Sequence, residues 1–273
     1  MDGVTIGRHT FQRQNKTYVM GILNLTPDSF SDGGRWNDPE RALRRVETML
    51  AEGMDLLDVG GESTRPGFTP VSEQEEIERT APVIEKIKAN FDVPVSLDTY
   101  KSKVAQAGIA AGADLINDIW GLKADPDMAA VIAKAGVPCC LMHNRKEPVY
   151  QDLYRDVIED LEACLSLARE AEIDRNKILL DPGIGFGKTY EQNLFLLNGM
   201  DRIRQDLDYP LLLGCSRKSV IGLTLDLPVS ERLPGTLATT VLAVMKGCSF
   251  VRVHDIKENV QAIRMTEAIM EAR

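Results

Sequence analysis

KILLDPGIGFG, residues 177–187, is an apolar run that stops on a carboxylate and breaks at once into a glycine-rich turn. Isoleucine and leucine suit a buried strand, whereas Pro182 and Gly183 end one, because proline lacks an N–H and glycine frees the backbone. The same grammar recurs along the chain. Apolar runs at 18–23, 55–59, 94–97, 113–116, 138–142, 177–180, 210–213 and 249–253 alternate with longer amphipathic segments. Strands alternating with helix-length segments make parallel β–α units, and eight such units predict a closed (β/α)8, or TIM, barrel. A barrel of this kind takes about 250 residues, so the 273 residues are expected to form a single domain, 1–273. Residues 3–16, within the N-terminal stretch 1–16, are expected to form a small hairpin over the barrel floor.

The helical segments carry their own signals. Ser72 and Glu75 are spaced as a capping box ahead of 73–89. Asp38-Pro39 and Asp125-Pro126 each predict an N-cap followed by proline at the first helical position. Within 152–172, Leu153, Val157, Leu161, Cys164, Ala168 and Ala171 fall on one stripe at helical spacing, as packing against a barrel requires.

Composition sets bounds on function. The chain is 44% hydrophobic and 27% charged, as expected of a core-forming protein. Its five cysteines are odd in number and lack metal-ligand spacing, so free thiols in a reducing compartment are expected. The first residues hold no signal-peptide core, and no apolar run approaches the roughly 18 residues of a membrane span. The expectation is a cytoplasmic protein. A net charge of −9 disfavours nucleic acid and anionic membranes as partners. Any small anionic substrate must therefore meet a few well-placed cations.

In a (β/α)8 barrel the chemistry lies where strands stop. The eight runs end, in order, at Asn24, Asp58-Val59-Gly60, Asp98, Asn117-Asp118, Met142-His143, Asp181, Gly214 and Arg252-Val253-His254. Singly, each has a plainer explanation. Asp98 serves equally as a helix cap, Asn117 as a loop amide, Asp181-Pro-Gly as a turn, and Arg252 with His254 as an ion pair to Asp255. Together they lose that neutrality, because the fold gathers all eight at one mouth. Asp98, Asn117 and Asp181 offer acceptors for a flat ring rich in N–H donors, and Lys218 suits a ring carbonyl or nitrogen. Arg65, Arg252 and His254 suit phosphate oxygens. Asn24 offers a neutral oxygen to a magnesium ion shared with those oxygens. One look-alike fails: Gly187-Lys188-Thr189 resembles the end of a nucleotide P-loop, but Pro182 stands where that motif needs its first glycine. Cys215 and the Cys139-Cys140 pair have apolar neighbours and read as packing residues.

The segments GILNLTPDSFSDGG (21–34), DVGGESTRPG (58–67), SLDTYK (96–101), INDI (116–119), LDPGIGFG (180–187), SRKS (216–219) and RVH (252–254) resemble the dihydropteroate synthases, a family of pterin-binding barrels. The resemblance runs from about Val19 to Arg264. It implies a folate-biosynthesis transferase that joins 6-hydroxymethyl-7,8-dihydropterin diphosphate to 4-aminobenzoate, releasing pyrophosphate. It implies that Asp98, Asn117, Asp181, Lys218, Met142, Phe186 and Gly214 hold the pterin. Asn24, Arg65, Arg252 and His254 would handle the diphosphate with Mg2+, to which Asn24 is the protein ligand. Asp98, Lys218, Arg252 and His254 would be catalytic. Phe30, Thr64, Pro66 and Ser219 would shape the aminobenzoate pocket, where sulfonamides also bind in this family. Long mobile loops after strands one and two would act as lids carrying Asp32, Ser63 and Arg65. A homodimer packed through its final helices is also implied. Leu25, Cys215 and His143-Asn144-Arg145 depart from the usual family residues without removing a polar group the reaction needs. The expected chemistry is an SN1-like substitution. Two rivals are a methyltetrahydrofolate-dependent methyltransferase, which has no need of a diphosphate cradle, and a non-catalytic pterin-binding paralogue.

Overall fold

A computed structural model describes residues 3–13, 16–26, 39–63 and 70–272. Each apolar run becomes a strand: β3 (Tyr18–Asn24), β4 (Leu56–Gly60), β5 (Val95–Asp98), β6 (Leu115–Asp118), β7 (Cys139–Met142), β8 (Ile178–Asp181), β9 (Leu212–Leu213) and β10 (Phe250–Val253). The strands lie in the order β8-β7-β6-β5-β4-β3-β10-β9, with each neighbouring pair parallel. A parallel bridge between Leu180 and Leu211 joins the two edges and closes the barrel. The strand β9 is shorter than the run that predicts it, because Pro210 has no N–H to give and contributes only its carbonyl, to Leu180 N at 3.0 Å.

The helices α1 (Pro39–Ala51), α2 (Glu73–Asn90), α3 (Ser102–Ala110), α4 (Met128–Ala135), α5 (Leu153–Glu170), α6 (Tyr190–Asn198), α7 (Met200–Leu207), α8 (Ser219–Leu225), α9 (Leu233–Met245) and α10 (Ile256–Glu271) surround it. The stripe predicted for α5 buries Val157, Leu161, Cys164 and Ala168. Two local expectations turn out differently. Asp125 does not cap α4, which starts at Met128. Its carboxylate instead accepts Asp127 N at 3.0 Å and, across the loop, Ser102 N at the start of α3 at 2.7 Å. Of the expected capping box on α2, the Ser72 half forms, while Glu75 turns its carboxylate to Arg79. Asp38 lies outside the described residues. A full capping box does form at α6, where Thr189 and Gln192 bond reciprocally.

The expected hairpin is present, as β1 (Gly3–Ile6) paired antiparallel with β2 (His9–Gln12). It plugs the floor. Phe11 meets the Tyr18 ring edge-on at 4.9 Å and the Phe250 ring at 5.2 Å. With Val4 and Ile6 it joins Met20, Leu56, Leu115, Cys140, Leu179 and Leu212 in one inner cluster. Each large side chain there contributes about 1.5–3 kcal/mol of apolar burial. Side chains alternate along a strand, so the residue two places on faces the same side. Above Leu56 stands Asp58, above Leu115 Asn117, above Leu179 Asp181, and above Phe250 Arg252. The barrel is thus apolar in its lower half and polar in its upper half.

Candidate functional site

Arg252 occupies the centre of this upper layer. Its Nε donates to Asp58 Oδ2 at 2.6 Å and its Nη2 to Asp98 Oδ2 at 2.7 Å. Asp58 is wholly buried and also accepts Ser96 Oγ at 2.6 Å and, at 3.5 Å, Asn117 Nδ2. Burial opposes the Arg252 charge, but the two carboxylates outweigh it and hold its pKa above the ordinary arginine value. Burial pushes the Asp98 carboxyl up to about 7, against the pull of Arg252 and with Asp58 adding to the rise. Sequence reasoning assigned Asp58 no role. The available signal was its place inside an apolar run, since a charge buried in a strand needs a partner.

Asp98 has a second feature. Its Oδ1 is buried and makes no hydrogen bond among the described residues. A buried carboxylate oxygen without a donor is costly, so it marks where a ligand N–H belongs.

Asp181 divides its oxygens. Oδ1 accepts Gly183 N at 2.7 Å, which fixes the turn that opens the 183–187 loop. Oδ2 lies 3.6 Å from where a Cβ on Gly214 would stand, and Lys218 Nζ lies 3.8 Å from the same point. Burial raises the Asp181 pKa and lowers that of Lys218, and each is the other's strongest opposing charge. Lys218 donates to Ile184 O and lies 4.5 Å from the centre of the Phe186 ring. The loop bearing Lys218 is set by Arg217, which takes a left-handed φ of 57° and grips Asp255 by two bonds, at 2.9 and 2.6 Å. Asp255 is therefore the partner of Arg217, not of Arg252.

His254 is oriented by Ser216, whose Oγ lies 2.9 Å from Nδ1. Asn24, at the end of β3, has a side-chain amide with no hydrogen-bond partner among the described residues. A cavity of about 450 Å³ brings together Asn24, Ser63, Asp98, Phe186, Gly214, Lys218, Ser219, Arg252 and His254. Asn117 and Met142 are buried and do not line the cavity wall. Asp181 borders it beside Gly214. Phe30, Asp32, Thr64, Arg65 and Pro66, with both expected lid loops (27–38 and 64–69), lie outside the described residues. A larger groove of about 880 Å³ opens elsewhere, lined by residues including Arg13, Arg204 and Lys246, and none of the predicted site residues borders it.

The five cysteines are buried and unbridged, and burial pushes the Cys215 thiol up to about 11, which suits packing better than nucleophilic chemistry. Asp118 spends its carboxylate on Trp120 N and Leu122 N, at 2.8 and 2.7 Å, and is a loop support.

The Gly214 geometry allows a clean test. A methyl there meets nothing closer than 3.6 Å, so the fold should accept Gly214→Ala with a melting temperature within about 2 °C. The methyl would fill space between Asp181, Lys218 and Arg252. The expected result is a rise of tenfold or more in KM for a ring-shaped substrate read by those groups. An unchanged KM would show that the ring lies elsewhere.

A family model described as pterin binding enzyme matches residues 20–254. The chain is 58% identical over 266 residues to the dihydropteroate synthase of Clostridium beijerinckii, covering 97% of this chain and 98% of that one. Its fold resembles that of the Clostridium difficile dihydropteroate synthase solved in the presence of pteroic acid, with TM-score 0.91, 46% identity, and coverage of 94% of this chain and 98% of that one. It also resembles the Yersinia pestis dihydropteroate synthase solved with a sulfonamide drug, with TM-score 0.93, 43% identity, and coverage of 99% and 100%.

Proposed function

The chain belongs to the pterin binding enzymes, within them to the dihydropteroate synthases, and from that premise we propose how its residues perform the reaction. The enzyme is a transferase of folate biosynthesis: the amine of 4-aminobenzoate replaces pyrophosphate on 6-hydroxymethyl-7,8-dihydropterin diphosphate, giving 7,8-dihydropteroate. In the proposal the pterin lies over Gly214. Its N–H edge is read by Asp181 Oδ2 and by the unpartnered Asp98 Oδ1, and Lys218 donates to a ring carbonyl or nitrogen. That orphaned oxygen is the observation that carries the reading, because it asks for a buried donor the protein does not supply.

The departing pyrophosphate leaves a carbon conjugated to an electron-rich ring, so positive charge spreads into the pterin. Asp98 and Asp181 as anions favour that charge, while Arg252 and His254 favour the leaving group. The expected path is SN1-like, with no strong base, since an aromatic amine is already nucleophilic. Carbon–oxygen cleavage detected before the amine adds supports it, and its absence in a trapping experiment refutes it.

Among the described residues no three His, Cys, Asp or Glu are grouped to hold a metal. The unpartnered Asn24 amide fits magnesium in its usual form, held by one or two protein oxygens plus substrate phosphates and water. When bound, magnesium would neutralise the pyrophosphate. In the same reading Phe30, Thr64, Pro66 and Ser219 shape the aminobenzoate and sulfonamide subsite, and Arg65, Asp32 and Ser63 act from the loops. The proposal also places the enzyme in the cytoplasm, as one catalytic domain. No helix of the described residues is long and apolar enough to cross a membrane. A homodimer is proposed as well, supported by exposed Leu223, Met245, Met265, Ile269 and Met270 on α8, α9 and α10.

The deciding assay is pyrophosphate release with pterin diphosphate, 4-aminobenzoate and magnesium. Pterin binding without release would favour a non-catalytic paralogue, and methyl transfer from methyltetrahydrofolate would favour the methyltransferase rival. A pH profile adds a test of Asp98. With its carboxyl near 7, kcat/KM should rise through about pH 7 as Asp98 ionises, and Asp98→Asn should lower activity and flatten that limb. Stability runs the other way. A carboxyl whose pKa is raised on folding, here from 3.8 to about 7, contributes most below pH 4 and loses that contribution as pH climbs through 7.

A further inference from the structure

Behind the pterin wall lies a half-buried lysine that the reaction does not use. Lys188 follows the 183–187 loop, and its ammonium spends its protons on His143 Nδ1 at 2.8 Å, Gly183 O at 2.8 Å and Phe186 O at 2.9 Å. His143 is fully buried, and its Nε2 lies 3.0 Å from Asp160 Oδ2, which Arg145 Nε also holds at 2.6 Å. A neutral imidazole with its proton on Nε2 satisfies both contacts, donating to Asp160 and accepting from Lys188. Burial lowers the His143 pKa to about 4, which keeps it neutral.

The rest of the loop is held with equal care. Gly185 N donates to Asn193 Oδ1 at 2.6 Å, and Gly187 O accepts Tyr150 Oη at 2.7 Å. From the cavity side Lys218 donates to Ile184 O. A Cβ on Gly183 would stand 1.9 Å from His143 O, so the loop presses directly on the strand end that carries the histidine. Lys188 thus ties both ends of the 183–186 turn to β7, and the front of that turn presents Phe186 and the Lys218 contact to the cavity.

We propose that Lys188, acting through His143, is a positioning residue that holds Phe186 and the 183–187 loop in the shape that receives the pterin. The proposal rests on the pterin-site reading above. A lysine kept for packing alone would be replaceable by an apolar side chain of similar length, because a buried cation is weak evidence for stability. Burial lowers the Lys188 pKa to about 7, so the charge is held there at a cost. What it supplies is aim: three acceptors fixed at once.

The test compares wild type, Lys188→Met, His143→Leu and His143→Asn. The probe for binding is 6-hydroxymethylpterin, which lacks the diphosphate, followed by calorimetry. Lys188→Met should weaken its binding at least tenfold and raise KM for pterin diphosphate in parallel. KM for 4-aminobenzoate at saturating pterin diphosphate should stay within threefold. His143→Leu should repeat the loss, and His143→Asn, whose amide oxygen replaces Nδ1 as acceptor for Lys188, should recover most of it. A lysine with a merely structural role would shift the melting temperature and leave pterin affinity unchanged, and that result in folded Lys188→Met overturns the inference. Should Lys188→Met fail to fold, equal pterin affinity in His143→Leu and wild type overturns it. Failure of wild type to bind the pterin would instead bring down the site reading itself, and the inference with it.

Discussion

Arg252→Met is expected to lose stability and activity together. The guanidinium lies between two buried carboxylates, 2.6 Å from Asp58 and 2.7 Å from Asp98. Removing one partner of a buried ionic group leaves uncompensated charge, at a cost of about 3–5 kcal/mol. Here two anions lose the same cation. The Asp98 carboxyl, no longer pulled down by Arg252, should take up its proton more readily, so the deficit should shrink as pH falls. Urea denaturation should therefore show a loss of about 3–5 kcal/mol at pH 8 and a clearly smaller one near pH 5.5. Activity should fall by about 10²–10³ in kcat/KM, the range seen when one donor to developing negative charge is removed. A protonated Asp98 would add to that loss by withdrawing its anion from the pterin. Arg252→Lys keeps the charge but cannot bond two carboxylates at once, so it should fall between. Wild-type stability for Arg252→Met at pH 8 would mean that the 2.6 and 2.7 Å contacts do not hold the upper barrel together.

The trio also marks the boundary of what the chain discloses. The strands are legible because each apolar run stops on a residue that cannot continue it: Asn24, Gly60, Asp98, Asp118 or Asp181. Their parallel order follows from the helix-length segments between them. The site's membership is legible for a related reason, since barrel geometry brings polar strand ends to one mouth. Pairing is harder. Arg252 reads as an anion-handling residue in the sequence, yet its nearest contacts are carboxylates 194 and 154 residues away. No local pattern encodes which acid a given arginine meets. Lys188 is similar: by spacing it belongs to a failed nucleotide motif, and its partner His143 is 45 residues distant. Asp125, read as the cap of its own helix, also accepts Ser102 N, 23 residues back, at the start of α3. Local chemistry writes elements and turns, whereas partners across the barrel are settled by closure. The aminobenzoate side was read only through resemblance, and most of its residues lie beyond those described.

Asp181→Asn should separate recognition from folding. The substitution preserves shape, and the amide oxygen can keep the 2.7 Å bond from Gly183 N that Oδ1 now accepts. The amide nitrogen must then stand where Oδ2 faces the space above Gly214 and the Lys218 ammonium. An acceptor becomes a donor against a pterin edge that is itself made of donors. The exchange loses a charge-assisted hydrogen bond and sets two N–H groups against each other, together about 3–4 kcal/mol. That corresponds to a fall of roughly 10²–10³ in kcat/KM. Part of it should appear in kcat, because the carboxylate also favours the positive charge that grows as pyrophosphate departs. Stability should change little, since burial already raises the Asp181 pKa and the charge is held at a cost. Lys218 would lose its strongest supporting anion while burial continues to press its pKa down. Activity remaining in the variant should therefore decline at a lower pH than in the wild type. The pair should also fail to add: Asp181→Asn with Lys218→Met should cost clearly less than the sum of the two, because each single change spoils the other's role. A loss below fivefold for Asp181→Asn, in a protein that still makes dihydropteroate, would remove Asp181 from the pterin edge and leave it as the support of the Gly183 turn.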